Sequence, residues 1–162
     1  MMLYMPMKTF VNLPVRDLNK TMGFFTRLGF EFNPQFTDEN AACMIVSDDA
    51  YVMFLVDKFF KTFTKKSVAN SKETAEVIIA LSVDTREKVD ELVTTAFDAG
   101  GKKYKDVEDK GFMYGWGFED IDGHVWEIIF MDPEHISKPS EETTEEKSEH
   151  KKRAKHTKHR AK

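Results

Sequence analysis

One strand–helix–strand plan occurs twice in this chain, 68 residues apart, and that repeat limits the available folds more than any other feature. In the first copy, Lys8 to Val15 is a β-rich run closed by Leu13-Pro14-Val15. Asp17 stands where an N-cap belongs, and Leu18, Met22, Phe25 and Leu28 follow at helical spacing up to Gly29. Phe30–Phe36, Ala42–Val46 and Tyr51–Val56 read as three further strands. In the second copy, Val77–Val83 is a strand and Asp84 or Thr85 caps a helix. Val89, Leu92, Val93 and Ala96 form that helix's stripe, and Gly100-Gly101 ends it. Lys102–Lys105, Phe112–Glu119 and His124–Met131 complete the copy. The expected class is α+β, built from two βαβββ modules over about 8–57 and 76–132, joined by a linker over 58–75. The linker is rich in Lys, Thr and Ser and carries Phe59, Phe60 and Phe63, either as an interface patch or as a cover on a sheet.

The last hairpin is the most chemical segment. Gly117-Phe118-Glu119-Asp120-Ile121-Asp122-Gly123-His124-Val125-Trp126-Glu127 reads as strand, tight Asp-Gly turn, strand. Its second strand sets a single carboxylate, Glu127, among apolar neighbours, which is costly without a use or a partner. In an apolar wall its pKa would rise by desolvation, and it would serve as a base or meet a ligand cation. A Lys or Tyr of its own sheet is the alternative partner. On the preceding strand Phe112, Tyr114, Trp116 and Phe118 recur at period two, with Gly115 and Gly117 between them. That row is either a ligand wall or core packing against a helix.

Charge separates the chain into two parts. Residues 133–162 hold nine Lys/Arg and six Asp/Glu, a balance of +3, and the remainder carries −7. The tail has almost no apolar residues and is expected to be a disordered, solvated extension. Its basic end lacks the interleaved aromatics of a nucleic-acid site, so no nucleic-acid partner is expected. No apolar run reaches the length of a membrane span, and no secretory leader is read at the N-terminus. Cys43 is the single cysteine, which fits a cytoplasmic protein and a buried small hydrophobe.

Val11-x-Leu13-x-Val15-x-Asp17-Leu18-x-x-Thr21-x-x-Phe24-Phe25-x-x-Leu28-Gly29-Phe30 resembles the first module of vicinal oxygen chelate proteins: glyoxalase I, bleomycin-resistance proteins and extradiol dioxygenases. Ile79-Ala80-Leu81-Ser82-Val83-Asp84 is similar to the start of their second module, and the Asp-Gly-His hairpin to its end. The resemblance spans about residues 8–132. It implies curved mixed sheets around a shared cavity, with a divalent metal held from the first and last strand of each module. At those positions stand Phe10, Ile78 and Val52 or Met53, leaving Glu127 as the only matching ligand and the tentative catalytic residue. About three protein donors are needed to hold such a metal. His124, three residues from Glu127 on a strand, faces the other way.

The resemblance therefore implies a metal-free small-molecule binder of the bleomycin-resistance type, without a cofactor. Its expected ligand-binding residues are Phe10, Met53, Ile78, Tyr114, Trp116 and Glu127, lining one cavity. Its expected partners are a small aromatic or cationic molecule and a second copy in a homodimer. The alternatives are a metal-dependent lyase of the lactoylglutathione lyase type or a dioxygenase with ligands from elsewhere, and a non-catalytic dimeric scaffold.

Overall fold

The computed structural model describes residues 7–136. Strand β1 (Thr9–Val15) leads into helix α1 (Leu18–Arg27), β2 (Glu31–Phe32), β3 (Ala41–Ile45) and β4 (Ala50–Val56). A one-turn helix α2 (Asp57–Phe60) opens the linker. The second module follows as β5 (Ile78–Ser82), α3 (Arg86–Asp98), β6 (Glu108–Asp109), β7 (Met113–Glu119) and β8 (Val125–Met131). The two modules give two open four-stranded mixed sheets, ordered β1-β4-β3-β2 and β5-β8-β7-β6.

The repeat holds down to the register. β1 runs parallel to β4 with Phe10 opposite Tyr51 and Asn12 opposite Met53. β5 runs parallel to β8 with Ile78 opposite Val125 and Ala80 opposite Glu127. Phe10 and Ile78 are thus equivalent, and Met53, not Val52, is the counterpart of Glu127.

The helices begin where the capping residues stand. Asp17 accepts a hydrogen bond from the Lys20 N–H at 3.0 Å, and Thr85 accepts one from the Lys88 N–H at 3.1 Å. Gly29 and Gly100, at φ 93° and 106°, end α1 and α3. Helix α3 buries the expected Val89, Leu92, Val93 and Ala96; α1 buries Leu18, Thr21, Phe24 and Phe25, with Met22 only partly covered. Both modules contribute to one core. Phe25 lies 4.8 Å from Phe54 and 4.9 Å from Trp126, ring centre to ring centre, and Phe118 stacks on Trp126 at 6.4 Å. Each such side chain, fully buried, contributes about 1.5–3 kcal/mol. Cys43 is fully buried, and burial pushes its thiol pKa up.

Several expected boundaries shift. The strand read over Phe30–Phe36 ends at Phe32, because Asn33 caps a 3-10 turn at Pro34–Phe36 and Pro34 has no N–H for a ladder. Of Lys102–Lys105 only Lys102 pairs with β7, at Glu119, and Glu108–Asp109 supplies the edge strand instead. The turn at Asp122-Gly123 is a three-residue loop, Ile121–Gly123, not a two-residue one. Asp120 N–H donates to His124 O at 2.9 Å and Gly123 N–H to Asp120 O at 3.0 Å. Only Gly123 has positive φ, at 93°. Pro133–Ile136, expected within the tail, forms one helical turn. The rest of the charged tail, 137–162, and Met1 to Pro6 lie outside the described residues. No helix among the described residues is long and apolar enough to cross a membrane.

Candidate functional site

Alternation along a strand assigns each sheet a core face and an open face. In the first sheet Val11, Leu13, Val52 and Phe54 face the core, so Phe10, Asn12, Tyr51 and Met53 share the open face. Phe10 stacks on Tyr51 with ring centres 4.9 Å apart and planes 13° from parallel, forming a flat aromatic shelf. Phe10 is 49% exposed. Lys8 lies over the other ring of the shelf, its Nζ 5.5 Å from the Tyr51 centre.

In the second sheet Ile79, Leu81, Trp126 and Ile128 face the core, so Ile78, Ala80, Val125 and Glu127 share the open face. Ile78 is 56% exposed. Gly117 belongs to that face, and Tyr104 fills the space its missing side chain leaves: a Cβ there would stand 2.7 Å from the Tyr104 ring. Tyr104 and Lys105 therefore leave the sheet ladder to lie over the sheet. Tyr104 donates its hydroxyl to Glu127 Oε1 at 2.8 Å, and Lys105 Nζ meets the same oxygen at 2.6 Å. Trp116 Nε1 donates to the Lys105 carbonyl at 3.2 Å and fixes the backbone that carries both partners.

These contacts reverse the expected titration of Glu127. Its hydrogen bond with Lys105 holds the carboxyl below its ordinary range, opposed by partial burial and aided by the Tyr104 bond and the Lys105 charge. The Tyr104 hydroxyl is pushed far up by burial and by its bond to Glu127. Glu127 is thus a stably ionised half of an ion pair, not a neutral acid or a free base at neutral pH.

The structure does not bring the expected ligand residues to one cavity. Tyr114 and Trp116 sit on the core face, against α3. Tyr114 donates to Asp90 Oδ1 at 2.7 Å beneath the Arg86 guanidinium, and Trp116 meets Phe97 edge-on at 5.4 Å. The period-two aromatic row is core packing at these positions, and Phe118 joins Trp126 in the interior. Phe10 with Met53, and Ile78 with Glu127, remain on the open faces of two different sheets. Tyr104 and Lys105 supply the Tyr and Lys partners that stood as the alternative for Glu127, although neither position was singled out. Their signal in the sequence was the two glycines of β7, which leave a groove that a neighbouring bulky residue can fill.

The positions where the resemblance implies metal ligands carry Phe10, Met53 and Ile78, which have no strong donor, and Glu127, already paired with the Lys105 ammonium group. Among the described residues no three His, Cys, Asp or Glu come together as a metal-holding group. The residues present do not fit a divalent metal. His124 does not assist Glu127, for its Nε2 is tied to Pro14 O at 2.7 Å.

Most of the hairpin's polar groups serve architecture. Asp120 accepts from Asp122 N–H, His124 N–H and Trp126 Nε1 at 2.9, 3.0 and 3.0 Å. Burial pushes its carboxyl pKa up, against the His124 charge and the three N–H donors. Asp122 reaches the first module, accepting from Arg16 N–H and from the Thr21 hydroxyl, each at 3.1 Å. The linker is fastened there as well, since Ser71 donates to Asp122 O at 2.6 Å.

Comparison with known proteins agrees with this geometry. A family model described as bleomycin resistance protein-like N-terminal matches residues 8–47. A hypothetical protein of S. aureus is similar, at 32% identity over 78% of this chain and 95% of its own, with a TM-score of 0.66. A glyoxalase/bleomycin resistance protein/dioxygenase family enzyme from Burkholderia phytofirmans shares the fold at 20% identity, covering 75% and 96%, with a TM-score of 0.63. So does a fosfomycin resistance protein from Listeria monocytogenes, at 19% identity, covering 78% and 92%, with a TM-score of 0.56. Among curated proteins none matches.

Proposed function

We propose that this chain, which belongs to the glyoxalase/bleomycin resistance/dioxygenase (vicinal oxygen chelate) superfamily, is a binder of small planar aromatic compounds that works without a metal. The observation that carries this reading is the equivalence of Phe10 and Ile78, two exposed hydrophobes at the two positions where metal-binding members carry a ligand. A face that has exchanged charged donors for an aromatic shelf attracts flat apolar surface. The matching family model and one similar solved protein are both named for resistance to an antibiotic, a small molecule. Because Glu127 already holds Lys105, a positive charge on the ligand adds little, and the aromatic plane is the main determinant.

The same faces call for a second copy. β1 and β5 are edge strands, each paired on one side only, and they carry Phe10 and Ile78. Apolar edges of this kind pair with another strand or aggregate. A homodimer that sets the β1 edge of one copy beside the β5 edge of the other would bring the aromatic shelf opposite Glu127 and enclose the ligand.

Titration calorimetry with acridine, a flat neutral ring system, and with its charged relative acriflavine tests the reading, together with sedimentation of the free protein. The expected result is a dimer that binds both compounds with similar affinity. Phe10→Ala should weaken both about tenfold, the scale of one lost stacking partner with its buried area. Unchanged affinity in Phe10→Ala would contradict it.

A further inference from the structure

Beyond the aromatic shelf, we propose that the cleft beneath the linker is a second binding site, for a small neutral ring compound carrying an N–H or O–H donor beside an acceptor, as in a cyclic amide. The cleft has a volume of about 260 Å³ and lies between β1, the strap from Phe60 to Val77, and the hairpin exit at Gly123–Val125. A cavity of about 150 Å³ already holds benzene, so a substituted ring fits. Pro14, Phe60, Val68, Ala75 and Val125 supply apolar wall. Lys66 and Glu76 also line it with opposite charges, so the cleft favours neither a cation nor an anion.

The amide of Asn12 gives it chemical direction. Asn12 points from the open face of β1, and its amide makes no hydrogen bond to any described residue, so both its N–H donors and its carbonyl acceptor are available. His124, only 8% exposed, places Nε2 at 2.7 Å from Pro14 O. A backbone carbonyl only accepts, so Nε2 carries a proton and is committed to Pro14. The cleft thus offers the donor–acceptor pair of the Asn12 amide beside apolar walls. A cyclic amide edge complements that set, whereas a plain hydrocarbon leaves it unmet.

The strap is built to admit a guest. Ser67, Val68, Ala69 and Ser71 line this cleft and also a second one of about 440 Å³ on their other side, so the segment is thinly packed on both flanks. It is pinned at one end by Ser71 to Asp122 O and by Arg16 to Asn70 Oδ1 at 3.1 Å.

The test is titration of the ¹⁵N-labelled full chain with 2-pyridone, toluene and benzoate, each up to about 10 mM, followed by amide shifts. The expected result is that 2-pyridone shifts Asn12, Ser67–Ser71 and His124 and binds about tenfold more tightly than toluene, the factor of one net hydrogen bond. Benzoate should bind more weakly than 2-pyridone. Asn12→Ala should bring 2-pyridone down to the affinity of toluene and leave toluene unchanged. Ala75→Phe, or Val68→Phe should the first variant lose spectral dispersion, should fill the cleft and abolish the shifts. Phe10→Ala should leave them intact, which separates this site from the aromatic shelf. The proposal is overturned by absence of shifts with 2-pyridone, by shifts that survive the filled cleft, by shifts centred on Phe10 and Tyr51, or by benzoate binding most tightly.

Discussion

Replacement of Asp120 by alanine should be among the most damaging single changes in the chain, although no ligand is expected to touch it. The carboxylate is 4% exposed and accepts three hydrogen bonds, from two backbone N–H groups and the Trp126 indole. Alanine removes both acceptor oxygens and so all three hydrogen bonds at once. A buried donor left unsatisfied costs about 1–3 kcal/mol. Full addition would give about 3–9 kcal/mol, but backbone donors at a turn can recruit water, so the lower half, about 3–5 kcal/mol, is expected. The wild-type carboxylate also carries a burial cost, which trims the difference further. Against a total stability of about 5–15 kcal/mol for a domain of this kind, such a loss is severe. Equilibrium urea unfolding followed by tryptophan fluorescence measures it, since Trp126 loses its own partner and reports directly. Asp120→Asn should fall between, because its amide keeps one acceptor and turns an NH2 group toward the remaining donors. A loss below about 1 kcal/mol in Asp120→Ala would refute the view that this side chain builds the hairpin.

Two further outcomes follow from the open face of the second sheet. Gly117→Ala would set a Cβ 2.4 Å from Trp126 O and 2.7 Å from the Tyr104 ring, so it should cost about 2–3 kcal/mol and displace Tyr104. Gly115→Ala meets Ile129 Cγ2 at 3.3 Å and Ile128 O at 3.7 Å and should cost clearly less; thermal unfolding of the pair checks the contrast. The Glu127 ion pair predicts a pH effect on stability. With a folded pKa held below its ordinary 4.5 by Lys105, Glu127 contributes stability that is fully present above that value and lost as pH falls through the folded pKa. Melting temperatures of wild type and Glu127→Gln should therefore converge as pH is lowered from about 6 to about 3, and a gap that widened instead would contradict the pairing.

The sequence carried the fold well and the site poorly, for physical reasons. Hydrophobic periodicity and capping residues are local signals, so Asp17, Thr85 and the stripe of α3 could be read directly. The 68-residue offset survives as register because each module must pair its first strand with its last. Edge segments failed where local chemistry competes with the ladder: Asn33-Pro34 starts a turn, and Tyr104-Lys105 leaves to cover Gly117 and pair with Glu127. The row Tyr114–Trp116 was ambiguous because period two reports that residues share a face without telling which face it is. The helix that covers it, α3, resolves that only in three dimensions. The hairpin's Asp120 and Asp122 looked like turn chemistry, whereas their partners lie on Trp126, Arg16 and Thr21, the last two about a hundred residues away in sequence.

That the chain works without a metal is the central proposal, and metal-dependent stabilisation tests it most directly. The melting temperature of the full chain and of Glu127→Gln is measured with nickel, zinc, manganese and iron(II) over a range of concentrations. A site ligand at about 100 times its Kd would add about 2.7 kcal/mol of stability. The account predicts no such gain at the folded domain; any weak zinc effect from the histidines at 150, 156 and 159 would be equal in the two proteins. A gain of that size in the wild type, abolished by Glu127→Gln, would contradict it.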